Sequence, residues 1–116
     1  MAPGRGGNRG MGVQFVDWRF SADFGSAIHA RTAEAIRFTH AERALLEVFA
    51  AHGDRVYRRD ALLDAVSGYG SDVSDRSIDF IINRLRRKLR DSARHPRYIQ
   101  TRYGEGYAWI AERVVQ

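Results

Sequence analysis

The stretch SIDFIINRLRRKLR, residues 77–90, constrains the fold more than any other part of the chain. At the α-helical advance of about 100° per residue, Ile78, Ile82, Leu85 and Leu89 fall within about 60° of one another. That is a narrow apolar stripe, so this segment is a helix with one side buried. Opposite the stripe lie Arg76, Phe80 and Arg87, flanked by Arg84 and Ser77 on one side and Asn83 on the other. Arg86, Lys88 and Arg90 fall nearer the boundary. From Arg76 to Arg102 there are nine basic residues against two acidic ones, Asp79 and Asp91, a net of +7 in a chain whose total is +5. The remainder carries −2. A merely solvated helix face would interleave more carboxylates, so the excess reads as a docking surface for a polyanion. Guanidinium forks bond phosphate, or the O6 and N7 of guanine, in bidentate fashion. The major groove is about 12 Å wide and a helix with its side chains is of similar diameter, so this helix is expected to lie against DNA.

The rest of the chain fits around that helix. At 116 residues it is expected to form one domain with one core. The absence of cysteine excludes disulfide scaffolds, thiolate metal sites and cysteine nucleophiles. No apolar run approaches the roughly 18–20 residues of a membrane span. The opening MAPGRGGNRGMG has no apolar centre of the secretory kind, so residues 1–12 read as a disordered Gly/Arg tail before a domain at 13–116, in a cytoplasmic protein. VQFVDWRF (13–20) alternates as a strand, and SAIHA and AIRFT are shorter strands, predicting an antiparallel sheet of three or four strands. Thr39 and Glu42 form a capping box ahead of a helix over about 40–51, with Gly53 at its C′ position. Arg55 to Tyr57 is a short extended piece. Leu62, Leu63 and Val66 mark a second helix, about 59–66, behind a weak cap at Arg58. SGYGSDVSD is a loop in which Ser74 or Asp75 caps the basic helix. After Pro96, YIQTRY and YAWI join across Gly104-Glu105-Gly106 as a hairpin. The expected fold is α+β: a winged helix-turn-helix with an N-terminal antiparallel sheet, a three-helix core and a C-terminal β-hairpin wing.

The segments FTHAERALLEVF, DALLDAV, DRSIDFIINRLRRKL and IQTRYGEGY, in that order, resemble the DNA-binding effector domain of OmpR/PhoB-type response regulators. The resemblance runs from about residue 13 to 112, nearly the whole chain. It implies that the helix at about 75–90 enters the major groove and that the wing at about 98–110 meets the adjacent minor groove. Carried over by position, Arg76, Ser77, Phe80 and Ile81 lie along the DNA-facing side, Arg84 reads bases, and Asn83 and Arg86 contact phosphates. Thr101 and Tyr107 take DNA-proximal places on the wing, and the loop from Ser67 to Asp75 matches one that touches RNA polymerase in some members. The resemblance further implies a regulator bound as two copies on tandem direct repeats, with the free protein a monomer. There are departures. The wing arginine expected before the first glycine is Tyr103 here, with Arg102 one place earlier; Asn83 replaces a commonly basic residue, and Ser67 stands where many members have Trp. At 116 residues, the sequence is expected to lack the phosphorylatable receiver domain of the family.

Other chemistry is poorly signalled. His29, His40, His52 and His95 are scattered without metal spacing, so neither metal nor cofactor is expected. Gly104 and Gly106 are turn glycines outside any strand–loop–helix phosphate cradle. Trp18 and Trp109 are expected to close two sheets over the core, and Asp79 to orient Arg76 or Asn83 without acting as a catalytic acid. An enzyme is therefore not expected. The function indicated is sequence-specific binding of double-stranded DNA as a transcription regulator, with the candidate contacts just named together with Arg87, Arg102 and Tyr103. Binding of RNA or of a protein partner is the alternative.

Overall fold

The computed structural model describes residues 12–67 and 75–115. Its elements follow one another as β1 (Val13–Phe15), β2 (Trp18–Phe20), β3 (Ser26–His29), β4 (Ala35–Arg37), α1 (His40–Ala51), β5 (Val56–Tyr57), α2 (Arg59–Ser67), α3 (Asp75–Leu89), β6 (Ile99–Arg102) and β7 (Gly106–Trp109). The first four strands form an antiparallel meander, β1-β2-β3-β4, and the last two pair with β5 in a second sheet ordered β5-β7-β6. The expected winged helix is present, with its N-terminal sheet, three helices and hairpin wing. The tail over residues 1–11 and the loop over residues 68–74, including the Ser74 cap, lie outside the described residues.

Where local chemistry is strong, the elements begin and end as expected. The Thr39 hydroxyl accepts from the Glu42 amide at 3.2 Å, and the Thr39 amide donates to Glu42 Oε1 at 2.8 Å. A cap of this kind contributes about 1 kcal/mol, enough to fix where α1 starts. At its far end His52 closes the helix, and the left-handed residue of the following turn is Asp54 (φ +67°) rather than Gly53. The terminus of α3 is a Schellman motif. The Arg90 amide donates to the Arg87 carbonyl at 3.2 Å and the Asp91 amide to the Arg86 carbonyl at 2.7 Å. Arg90 sits at φ +59°, where glycine is usual, with its guanidinium on Glu34.

One expectation fails instructively. Residues 13–20 form two strands, with Phe15 opposite Trp18 and Val16 turned to φ +52°. A β-branched residue is costly there, and Val16-Asp17 carries none of the usual hairpin chemistry. The reversal is held from a distance: the Val16 amide donates to the Glu112 carbonyl at 2.9 Å, and the Asp17 amide to the Tyr98 hydroxyl at 2.9 Å.

The core lies between the two sheets and the helices. Ile78, Ile82, Leu85 and Leu89 are all buried, as the stripe requires, each worth roughly 1.5–3 kcal/mol of transfer free energy. Trp18 and Trp109 are both buried, and the Trp109 ring meets Phe15, Phe49 and Tyr98 at centroid distances of 5.3, 6.0 and 5.6 Å. Trp18 Nε1 donates to the Leu89 carbonyl at 3.0 Å, so the N-terminal sheet caps the end of α3. The Tyr98 hydroxyl donates to the Phe15 carbonyl at 2.7 Å, joining the root of the wing to the first hairpin. Burial pushes its phenol up to about 12.

Candidate nucleic-acid interface

The basic helix α3 presents three longitudinal zones, set by its distance around the axis from the buried stripe. Ile81 and Arg86 each lie about 70° from the stripe's midline, at the edge of what the core covers. Both are buried, at 5% and 6% exposure. Two expectations are therefore corrected: Ile81, expected along the DNA-facing side, joins the core, and Arg86, expected near the boundary at a phosphate, donates through Nη2 to the Ile99 carbonyl and to Thr101 Oγ1, both at 2.8 Å. Its guanidinium also lies 5.8 Å from the Tyr107 ring centroid. Arg86 ties the helix to β6, and Thr101 is half-buried as its acceptor.

Tyr107 is corrected in the same way. It is buried, and its hydroxyl donates to Asp79 Oδ1 at 2.5 Å, while Arg59 Nε donates to the same oxygen at 2.8 Å. Asp79 thus orients Arg59 and Tyr107, not Arg76 or Asn83. Partial burial alone would raise its carboxyl, but the hydrogen bonds from Arg59 and Tyr107 outweigh this and hold it below the ordinary carboxylate value. Burial and donation to Asp79 together push the Tyr107 phenol up. The group links α2, α3 and the wing.

On the opposite flank, Arg84 and Lys88 converge on Glu42, whose side chain is fully buried. Lys88 Nζ donates to Glu42 Oε1 at 2.7 Å and to the Arg37 carbonyl at 2.8 Å. Arg84 Nε donates to Glu42 Oε2 at 3.1 Å, and Nη2 reaches Thr39 Oγ1 at 3.4 Å. Burial would raise the Glu42 carboxyl, but hydrogen bonds from Lys88, the Thr39 amide and Arg84 prevail and lower it. The capping-box carboxylate therefore also serves as counterion to two cations of α3. Two cations against one anion leave a net of +1 on this flank.

The crest between the flanks is open. Phe80 is 63% exposed, with the Arg84 guanidinium 5.8 Å from its ring centroid. Asn83 and Arg87 are exposed, and the Arg87 side chain has no hydrogen bond or ion pair among the described residues. Ser77 is half-buried, and the Arg76 side chain lies outside the described residues. In the wing turn the Glu105 amide donates to the Arg102 carbonyl at 2.8 Å and Gly104 takes φ +79°. Tyr103 at its tip is 89% exposed and Arg102 is exposed. Gly106 (φ +142°) lies so close to β5 that a Cβ there would come within 2.0 Å of the Tyr57 carbonyl oxygen, which fixes the wing against the body. The structure thus brings Phe80, Asn83, Arg84, Arg87, Arg102 and Tyr103 to the surface, and sets Ile81, Arg86, Thr101 and Tyr107 behind it as supports. The part played by Glu42 was hidden in the sequence, where only its capping pattern showed. No helix among the described residues is long and apolar enough to cross a membrane.

Known proteins share this architecture. The family described as "Transcriptional regulatory protein, C terminal" matches residues 33–109. The chain is 40% identical over 98 residues to the transcriptional regulatory protein AruR of Pseudomonas aeruginosa, covering 84% of this chain and 40% of that protein. It is therefore similar to a part of that relative, spanning well under half of its length. Among solved structures, the DNA-binding domain of Klebsiella pneumoniae RstA in complex with the RstA box is similar with a TM-score of 0.69 and 31% identity, covering 84% of this chain and 95% of that one. The DNA-binding domain of E. coli CadC gives a TM-score of 0.71 and 25% identity, covering 90% and 95% of the two chains.

Proposed function

From the premise that the chain belongs to the transcriptional regulatory protein C-terminal family, the winged-helix effector domains of OmpR/PhoB-type regulators, we propose that it binds double-stranded DNA sequence-specifically as the DNA-binding module of a transcription regulator. The observation that carries this reading is the crest of α3. A helix anchored by four buried aliphatics turns Phe80, Asn83 and Arg87 outward, and its Arg86 and Asp79 are bonded to Ile99, Thr101 and Tyr107 of the wing that bears the exposed Arg102 and Tyr103. In this reading α3 enters the major groove. Arg84 reads a base edge, Phe80 meets a thymine methyl or a sugar, and Asn83 and Arg87 bond phosphates. The wing approaches the adjacent minor groove with Arg102, while Tyr103 bonds a phosphate or packs on sugar. Two copies bind tandem direct repeats, and the loop from Ser67 to Asp75 meets RNA polymerase.

The test is selection of sites from a random duplex library, followed by titration of the enriched duplex, a scrambled duplex and a structured RNA over a range of salt. The enriched duplex should bind best, with affinity falling steeply as salt rises, by about 0.9 in the log–log slope for each phosphate neutralised. Arg84→Ala should cost roughly 1–3 kcal/mol on the enriched duplex and relax the preference at one base position. Equal binding of RNA and DNA, or failure to enrich any sequence, would contradict the proposal.

A further inference from the structure

We propose that Glu42 is a specificity-setting residue: it holds Arg84 in position to read a base edge and withholds Lys88 from the DNA backbone. The inference rests on the DNA-binding reading above. Its starting point is the geometry of one carboxylate. Glu42 is on α1, 42 positions before Arg84 and 46 before Lys88, yet its two oxygens meet both side chains. The carboxylate is wholly buried, whereas the Arg84 and Lys88 side chains are about one-third exposed, at 35% and 30%. The anion itself therefore cannot touch DNA, but its two cations stand at the surface's edge.

The two cations are held differently. Lys88 Nζ is engaged by Glu42 Oε1 and by the Arg37 carbonyl, at 2.7 and 2.8 Å. An ammonium has only three donors, so little remains for a phosphate. Arg84 has five N–H donors in a rigid plane. Nε and Nη2 face Glu42 Oε2, both at 3.1 Å, with Nη2 also near Thr39 Oγ1 at 3.4 Å. Nη1, with its two N–H groups, has no hydrogen bond among the described residues, and a guanidinium that turns these outward can meet guanine O6 and N7. The Phe80 ring on the crest, 5.8 Å from the guanidinium carbon, limits its swing from the other side. An arginine held in this way reaches a base without first losing the freedom of a long side chain, whereas an unheld one can fold onto any nearby phosphate.

Replacing Glu42 with Gln separates charge from shape. Glutamine still serves in a capping box, but the anion is gone and both cations are released. Using the whole chain, affinity would be measured for the duplex that the wild-type chain enriches from a random library and for a scrambled duplex of equal length. For E42Q the ratio of the two affinities should fall about tenfold, while the salt slope on the scrambled duplex steepens by about 0.9 as a freed cation reaches a phosphate. Arg84→Lys should lower the ratio by a similar factor without steepening the slope. The double variant E42Q/R84K should lose no more of the ratio than R84K alone, because Glu42 acts on base reading through Arg84, while its slope should still steepen through the freed Lys88. A ratio and slope unchanged in folded E42Q, as judged by circular dichroism, overturn the inference while leaving DNA binding intact. If E42Q does not fold, Lys88→Met decides instead. It should leave both ratio and slope unchanged, and a slope shallower by about 0.9 would place Lys88 on a phosphate and refute its withholding. If the wild-type chain enriches no duplex, the binding proposal fails and this one falls with it.

Discussion

On one flank of α3, Arg84 and Lys88 share the buried carboxylate of Glu42; on the other, Arg86 ends on the carbonyl of Ile99 and the hydroxyl of Thr101. The first flank is an ion cluster, sensitive to acid and still cationic by one charge. The second holds a buried guanidinium with neutral acceptors and an aromatic face, and its Nε has no hydrogen-bond partner among the described residues. Between them, Arg87 is exposed with no ion pair among the described residues. Residues of one chemical type on one helix thus divide into a buried support, cations held by a buried carboxylate at the edge of the surface, and an open side chain. The charge counted along a segment is an upper bound on the charge offered to a partner.

This contrast can be broken most directly at Arg86. Arg86→Ala should remove about 3 kcal/mol of stability, since a buried and a half-buried acceptor lose their donor and the helix loses its tie to the wing. Urea unfolding measures this, and a loss under about 1 kcal/mol would show that the neutral flank holds little. The ion-cluster flank should respond to acid instead. The Glu42 carboxyl is lowered in the folded chain, so its stabilisation is complete above the ordinary value of 4.5 and is lost as the pH falls through the lower folded value. Asp79, lowered from 3.8, acts in the same direction. Urea midpoints should drop on going from pH 6 to pH 3, and drop less in E42Q; parallel profiles for the two chains would remove Glu42 from the account. At the wing, Tyr107→Phe should cost about 1 kcal/mol, the net worth of one hydrogen bond to a charged acceptor that Arg59 still partners. The smallest change in stability is expected for Arg87→Ala, within about 0.5 kcal/mol, yet its salt slope on DNA should become shallower by about 0.9. Were Arg87→Ala to destabilise as much as Arg86→Ala, the division into supports and contacts would not stand.

How much of this was readable beforehand depended on the range of the interaction. The stripe Ile78, Ile82, Leu85 and Leu89, the Thr39–Glu42 cap and the 99–109 hairpin arise from spacings of a few residues, and each is found where it was expected. The split at Val16 was not readable, because its supports are Glu112 and Tyr98, far along the chain. Nor was the pairing of Val56 and Tyr57 with β7, which turned a short extended piece into the third strand of the wing sheet. Among the site residues, Phe80, Asn83, Arg87, Arg102 and Tyr103 were correctly placed at the surface, since they lie farthest around the helix from the stripe or at the tip of a turn. Ile81, Arg86 and Tyr107 were not. Ile81 and Arg86 sit near the edge of the stripe, where burial is decided by how far α1 and the wing reach around α3, while Tyr107 is buried as the wing strand closes on Asp79.

By itself, then, the amino-acid order determined the elements of this protein and the side of α3 that must be buried, because periodicity and capping act within one or two turns of chain. Which basic side chains of α3 remain available to a partner was settled only when Glu42, Ile99, Thr101 and Arg37 were brought beside them. Hydrogen bonds and Coulomb attraction operate over a few ångströms of space, whatever the number of residues between the groups, and only the folded arrangement supplies those distances.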